Sequence, residues 1–249
     1  CANIEVTYNN FPADAEEAFQ AAVDIWAYSL SSSVTIRITA NWTFLSPGLL
    51  GSAGSSYVYR NFANAPDDRY YGSALADQIA GYDLAPTQPD IIANFNSTQN
   101  WYFGTDGGGT FSQFDLLSVV LHELGHGFGF ASSFGYSGGN GSYGVGANNI
   151  PMAYDELLTL GQNGSPLLSL AEGSGLGSAL TSNNVYCNGD HATESAGGSH
   201  PRIHAPVSFN FSSSISHLNE FTYLAGSENS LMTPSMGPSE VIHNPGPIA

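Results

Sequence analysis

An α+β fold is predicted by three features of the sequence. Apolar residues alternate with period two at Ile4–Tyr8, Val34–Thr39 and Ile91–Phe95, as half-buried strands require. They recur at helical spacing through Ala13–Leu30 and Ser112–Phe128. After Ala131 the texture changes to Gly, Ser and Asn, with one short helical candidate at Ala153–Leu160. The expected organisation is one domain with an ordered N-terminal α/β lobe, residues 1–130, and a loop-rich C-terminal lobe, residues 131–249, sharing a cleft.

The elements follow in order. Ile4–Tyr8 reads as the first strand. Pro12 and the acids Asp14, Glu16 and Glu17 suit the start of a helix, whose core face is Phe19, Val23, Trp26 and Leu30. Val34–Thr39 is expected to pair with the first strand. Tyr57–Tyr59 is a weaker strand candidate than Ile91–Phe95. The turn Gly107–Gly109 leads into the helix Ser112–Phe128, where Phe114, Leu117, Val120, Leu121 and Leu124 form an apolar stripe. No internal repeat is visible.

Composition narrows the function. With 249 residues, 42% apolar, 14 Phe and 13 Tyr, the chain can bury a substantial core. It has no lysine, only Arg37, Arg60, Arg69 and Arg202, and a formal net charge of −17. Such a surface repels nucleic acid and anionic membranes, so neither is an expected partner. It suits cationic substrates, calcium or simple solubility, and solubility is the reading favoured. No apolar run reaches the ~18 residues of a membrane span.

The chain opens at Cys1, without an initiator Met or signal peptide, on a strand-like segment, which suggests a processed mature chain or a trimmed one. Cys1 and Cys187 are its only cysteines, and the expectation for a secreted chain is one disulfide between them. Asn41, Asn96, Asn140, Asn163 and Asn210 each head an N-x-[ST] triplet, which matters only in a chain secreted by a eukaryote.

The strongest signal is His122-Glu123-Leu124-Gly125-His126-Gly127-Phe128-Gly129. Residues four apart share a helix face, so His122 and His126 can present nitrogens to one zinc ion. Glu123 beside them is placed to take a proton from water at that ion. Two partly buried core histidines would give the same spacing. Glycine, however, costs ~1 kcal/mol per interior helix position. Gly125, Gly127 and Gly129 within five residues therefore need a reason, and a sharp turn beneath a metal supplies one.

Catalytic zinc needs a third protein ligand and an open position. Position 132, where the compact continuation of the motif carries histidine, is Ser132. His191, His200, His204, His217, His243 and Glu156 remain as candidates. Ser216-His217-Leu218-Asn219-Glu220, followed by Leu231-Met232-Thr233-Pro234, resembles the leishmanolysin-like metzincins. In that family a long insertion separates the metal helix from the third histidine, and a methionine turn follows. The resemblance implies a twisted mixed sheet with two long helices in the N-terminal half and zinc in the cleft. It makes His217 the third ligand and Met232 an apolar floor beneath the imidazoles. It covers only these places. Pro234 stands where some members carry a tyrosine, and a C-terminal segment beyond Ala249 is expected to be missing or replaced.

The expected activity is zinc-dependent endopeptidase chemistry on protein or peptide substrates by a monomer, with Glu123 as general base. An extended substrate would pair with a sheet edge, for which Leu49–Gly54 and Tyr57–Tyr59 are candidates. The rival readings are a secreted binding module with a structural zinc and a zinc hydrolase of small amides or esters. Calcium fits the acidic balance but is unplaced: Asp67, Asp68 and Asp106 lack the spacing of a calcium loop.

Overall fold

In the computed structural model, residues 1–66 and 68–248 are described, and Asp67 lies outside them. β1 (Ile4–Asn9), α1 (Ala13–Ser29) and β2 (Ile36–Thr43) open the chain as a parallel crossover. Then come β3 (Gly51–Ser55), β4 (Val58–Tyr59), β5 (Tyr71–Gly72), α2 (Ser73–Ala80), β6 (Ile91–Asn96), β7 (Trp101–Tyr102), β8 (Phe114–Asp115) and α3 (Leu116–Phe128). The principal sheet has the order β1-β2-β6-β3. Its first three strands are parallel, and β3 runs antiparallel to β6 at one edge. Two compact units result, the first comprising residues 1–65, 71–129 and 236–245.

One face of the sheet is buried by the helices. Ile38, Ala40, Ile91, Ala93 and Phe95 lie on it with almost no exposure, whereas Ile92 on the opposite face is 42% exposed. Phe19 of α1 meets Phe95 edge-to-face at 5.6 Å. The Trp26 indole N–H donates to the Leu121 carbonyl at 3.0 Å, joining α1 to α3 deep in the unit.

α1 spans Ala13–Ser29, one residue short of the expected end. α3 begins at Leu116, not Ser112, because Phe114–Asp115 pairs in parallel with Trp101–Tyr102. Asp115 then caps the helix, accepting the Ser118 amide at 2.9 Å. Residues 236–245 return to this cap: Ile242 N donates to Ser118 Oγ at 2.8 Å, and His243 Nε2 lies 2.8 Å from Asp115 Oδ1. α2 was not foreseen. It is short and ends at Gly81, whose φ of 77° suits glycine in the left-handed region.

The second unit comprises residues 66–70, 130–235 and 246–249. Its elements are β9 (Gly135–Ser137), β10 (Asn140–Ser142), β11 (Leu158–Leu160), α4 (Ser174–Leu180), β12 (Val185–Cys187), α5 (Asp190–Ser195) and β13 (Arg202–Ile203), with 3-10 turns at Ala153–Leu157 and Leu167–Ser169. The expected helix Ala153–Leu160 is thus a 3-10 turn running into a strand. β9 and β10 form a hairpin, and β11-β12-β13 an antiparallel sheet. Leu158, Leu167, Leu176, Leu180, Val185 and Ile203 are fully buried and form its core.

The expected disulfide is not formed. Cys1 is an exposed free thiol in the first unit, and Cys187 is a buried free thiol on β12 in the second, paired in register with Leu158. Burial pushes the Cys187 thiol up, with the Gly189 amide opposing. Among the described residues, no helix is long and apolar enough to cross a membrane.

Candidate metal centre

His122, Glu123 and His126 lie in the second half of α3, whose Leu116, Leu117, Val120, Leu121 and Leu124 are buried. One helical turn brings the two imidazoles together: Nε2 of His122 and Nε2 of His126 are 3.2 Å apart, with the rings at 83°. Tetrahedral zinc with nitrogens at ~2.0–2.1 Å sets neighbouring ligands about 3.3 Å apart, which this spacing matches. A hydrogen bond between two neutral rings would give a similar distance.

Two of the three glycines of the motif do different work. A Cβ on Gly127 would sit 2.7 Å from Ile91 Cγ2, so its absence lets α3 lie close on β6. Only Gly129, with φ of 125°, makes the turn that ends the helix. The expected sharp turn therefore accounts for one glycine, and close packing for another.

Glu123 reaches the edge of the sheet. Leu50 and Ser56 take part in main-chain bonds to Asn96 and Asp90, so alternate amides of β3 point away from β6. The Ala53 amide on that open side hydrogen-bonds the Glu123 carboxylate. Burial pushes this carboxyl up to about 7; the neighbouring His126 and the Ala53 amide pull the other way. Gly51 keeps the approach open, since a Cβ there would meet Glu123 Cγ at 3.0 Å.

His217 is held by different means. It is buried, and its Nδ1 lies 2.8 Å from the Ser213 carbonyl oxygen. A carbonyl only accepts, so Nδ1 carries the proton and the tautomer of the ring is fixed. The main chain on both sides is tied down: His204 N donates to His217 O at 2.8 Å, and Leu218 N to Met232 O at 2.7 Å. Met232 is fully buried in a turn closed by Thr233 N and Thr233 Oγ1 donating to Ser230 O. Ile215, two residues before the histidine, has φ of 71°, a left-handed conformation rare for a β-branched residue. The Tyr154 hydroxyl donates to its carbonyl at 3.2 Å, and its amide donates to His204 O at 2.8 Å.

One ligand nitrogen from each of His122, His126 and His217 falls within 4.8 Å of the other two. The donor set, three imidazoles without a thiolate, fits zinc and leaves a position open. Two of the other candidates are engaged elsewhere. Glu156 forms an ion pair with Arg69, and His243 contacts Asp115. His191 is exposed on α5, and burial lowers the pKa of His204 against the opposing pull of Glu220. Asp106 accepts from the Tyr102 hydroxyl and the Gly108 amide of its own loop.

Sequence reading missed Asp155. This fully buried carboxylate accepts from Ser132 Oγ at 2.6 Å, from Ser133 N at 3.1 Å, from Met152 N at 2.9 Å and from Ser133 Oγ. Its pKa is raised by burial, with these donors opposing. The Ser132 amide donates in turn to Ser216 Oγ at 3.0 Å, tying the loop after α3 to the residue before His217. Ser132, read as the missing histidine, is a structural ligand of Asp155.

Residues 49–151 match a protein family described as SPBPB7E8-like. A Schizosaccharomyces pombe protein named "Uncharacterized protein PB7E8.01" is 36% identical over 72 residues, 28% of this chain and 12% of that relative's length.

Proposed function

We propose that this chain is a secreted zinc-dependent endopeptidase of metzincin type, with His122, His126 and His217 as metal ligands and Glu123 as general base. The observation that carries the reading is the convergence of three imidazole nitrogens within 4.8 Å beside a glutamate on the same helix. Zinc, when bound, would supply Lewis acidity to the scissile carbonyl and the attacking water. The residues do the rest. The Ser213 carbonyl fixes the tautomer of His217 and aims its Nε2. Glu123 takes the proton of the attacking water on a carboxylate oxygen and hands it to the departing amine. Edge strand β3, apart from the Ala53 amide held by Glu123, would pair with an extended peptide.

Glu123→Ala, assayed on casein with added zinc, is the direct test. The variant is expected to keep zinc and lose cleavage by about 100-fold or more. Undiminished cleavage would remove Glu123 from the chemistry. Wild-type protein loaded with zinc that cleaves no peptide or denatured protein would leave the binding-module reading in its place.

A further inference from the structure

The second unit contains a cavity of about 510 Å³, separate from the three histidines. Its size is that of pockets holding small organic molecules, roughly 300–1,000 Å³. Arg202, one of only four cationic side chains of the lysine-free sequence, lines it together with His200, Tyr186, Tyr223, Gln162 and Ile248. From these residues we infer that the cavity binds a small carboxylate carried on an apolar body, such as an N-acylated amino acid or the C-terminus of a short peptide.

The charge count supports one negative charge. Among the described residues, the wall carries a single guanidinium and no carboxylate. Arg202 donates from Nε at 3.1 Å and from Nη2 to the Asn183 carbonyl. A guanidinium has five N–H groups, so this anchor leaves three for a ligand while fixing the plane of the fork. Planar two-point bonding is what a carboxylate offers in return. In a chain of net charge −17, a dianion would face repulsion that one arginine cannot offset.

The neighbouring Tyr223 hydroxyl is a donor too. Burial pushes the Tyr223 hydroxyl up, so it keeps its proton at neutral pH, while the Arg202 main-chain amide donates to the phenolic oxygen. His200 adds an imidazole to the same wall. The rings of Tyr186 and Tyr223 and the side chain of Ile248 supply apolar wall for the rest of the ligand.

The assignment does not depend on the zinc reading, because it is tested by binding to the metal-free full chain. Calorimetric titration compares N-acetyl-L-phenylalanine with its neutral amide, N-acetyl-L-phenylalaninamide. The acid is expected to bind at one site at least tenfold more tightly than the amide. Arg202→Gln should abolish that preference. Tyr223→Phe, which keeps the ring and leaves the Asn183 anchor untouched, should weaken the acid several-fold and the amide little. Equal binding of acid and amide, or binding of neither at millimolar concentration, would overturn the inference. So would tighter binding of inorganic phosphate than of the acid. A C-terminal peptide ending in a free carboxylate that competes with the acid would extend the site to chain termini; one that does not would confine it to small molecules.

Discussion

α3 and the segment around His217 place imidazoles by opposite means. In the first unit the geometry comes from repetition: a helix fixes the spacing of His122 and His126, and its buried leucines and valines seat it on the sheet. In the second unit the strands are two or three residues long, and side chains bonded to main chain do the positioning. His217 is fixed by the Ser213 carbonyl, its neighbour Ser216 receives the Ser132 amide, and the loop after α3 is gathered on Asp155. A periodic apolar stripe tolerates the loss of any one polar contact. A buried polar hub does not, because every donor it serves loses its partner together.

The largest expected effect tests that difference. Asp155→Ala leaves the Ser132 and Ser133 hydroxyls and the Ser133 and Met152 amides without their acceptor, and should cost about 3 kcal/mol or more. Hydrogen exchange should quicken through residues 130–235 and stay unchanged in β1 and α1. Equal quickening in both units would break the comparison.

Gly127→Ala probes the other side. The added methyl would lie 2.7 Å from Ile91, an overpacking cost of about 1–3 kcal/mol. Better helix propensity returns about 1 kcal/mol. A net loss of up to about 2 kcal/mol is expected in urea unfolding, and a stabilised variant would show that α3 does not press on β6.

What could be read in the sequence follows the same line. α1 was legible to within a residue because Phe19, Val23 and Trp26 recur at helical spacing and are indeed buried. The motif histidines and glutamate were legible because their spacing is local. The start of α3 was misplaced although Asp115 and Ser118 carry a capping pattern, and Gly81 could have marked the end of α2. Asp155 was invisible, since its partners at 132, 133 and 152 come together only through loops without periodicity. His217 was singled out by resemblance alone; no pattern in its own segment predicts the Ser213 anchor. The free thiols Cys1 and Cys187 show the limit of composition, which suggested a bond between residues that belong to different units.

A smaller effect concerns pH in the first unit. Asp77 and Asp90 are buried together, and burial, followed by the charge of Asp90, pushes the Asp77 carboxyl up to about 6, against the pull of the Leu84 amide. The folded state therefore holds this proton more tightly than the unfolded chain. Its contribution is fully present below the usual carboxyl range near 4 and is lost as pH rises through about 6. Asp77→Asn should flatten that part of the stability profile, measured by urea midpoints between pH 4 and 7. An unchanged slope would assign the titration elsewhere.

The zinc stoichiometry of the full chain, measured by titrating metal-free protein with zinc in a calorimeter, bears most directly on the three-histidine site. One site per chain is expected, with affinity falling about 100-fold or more in His217→Ala and in His126→Ala alike. No zinc binding in the wild type, or undiminished one-to-one binding in His217→Ala, would contradict the account.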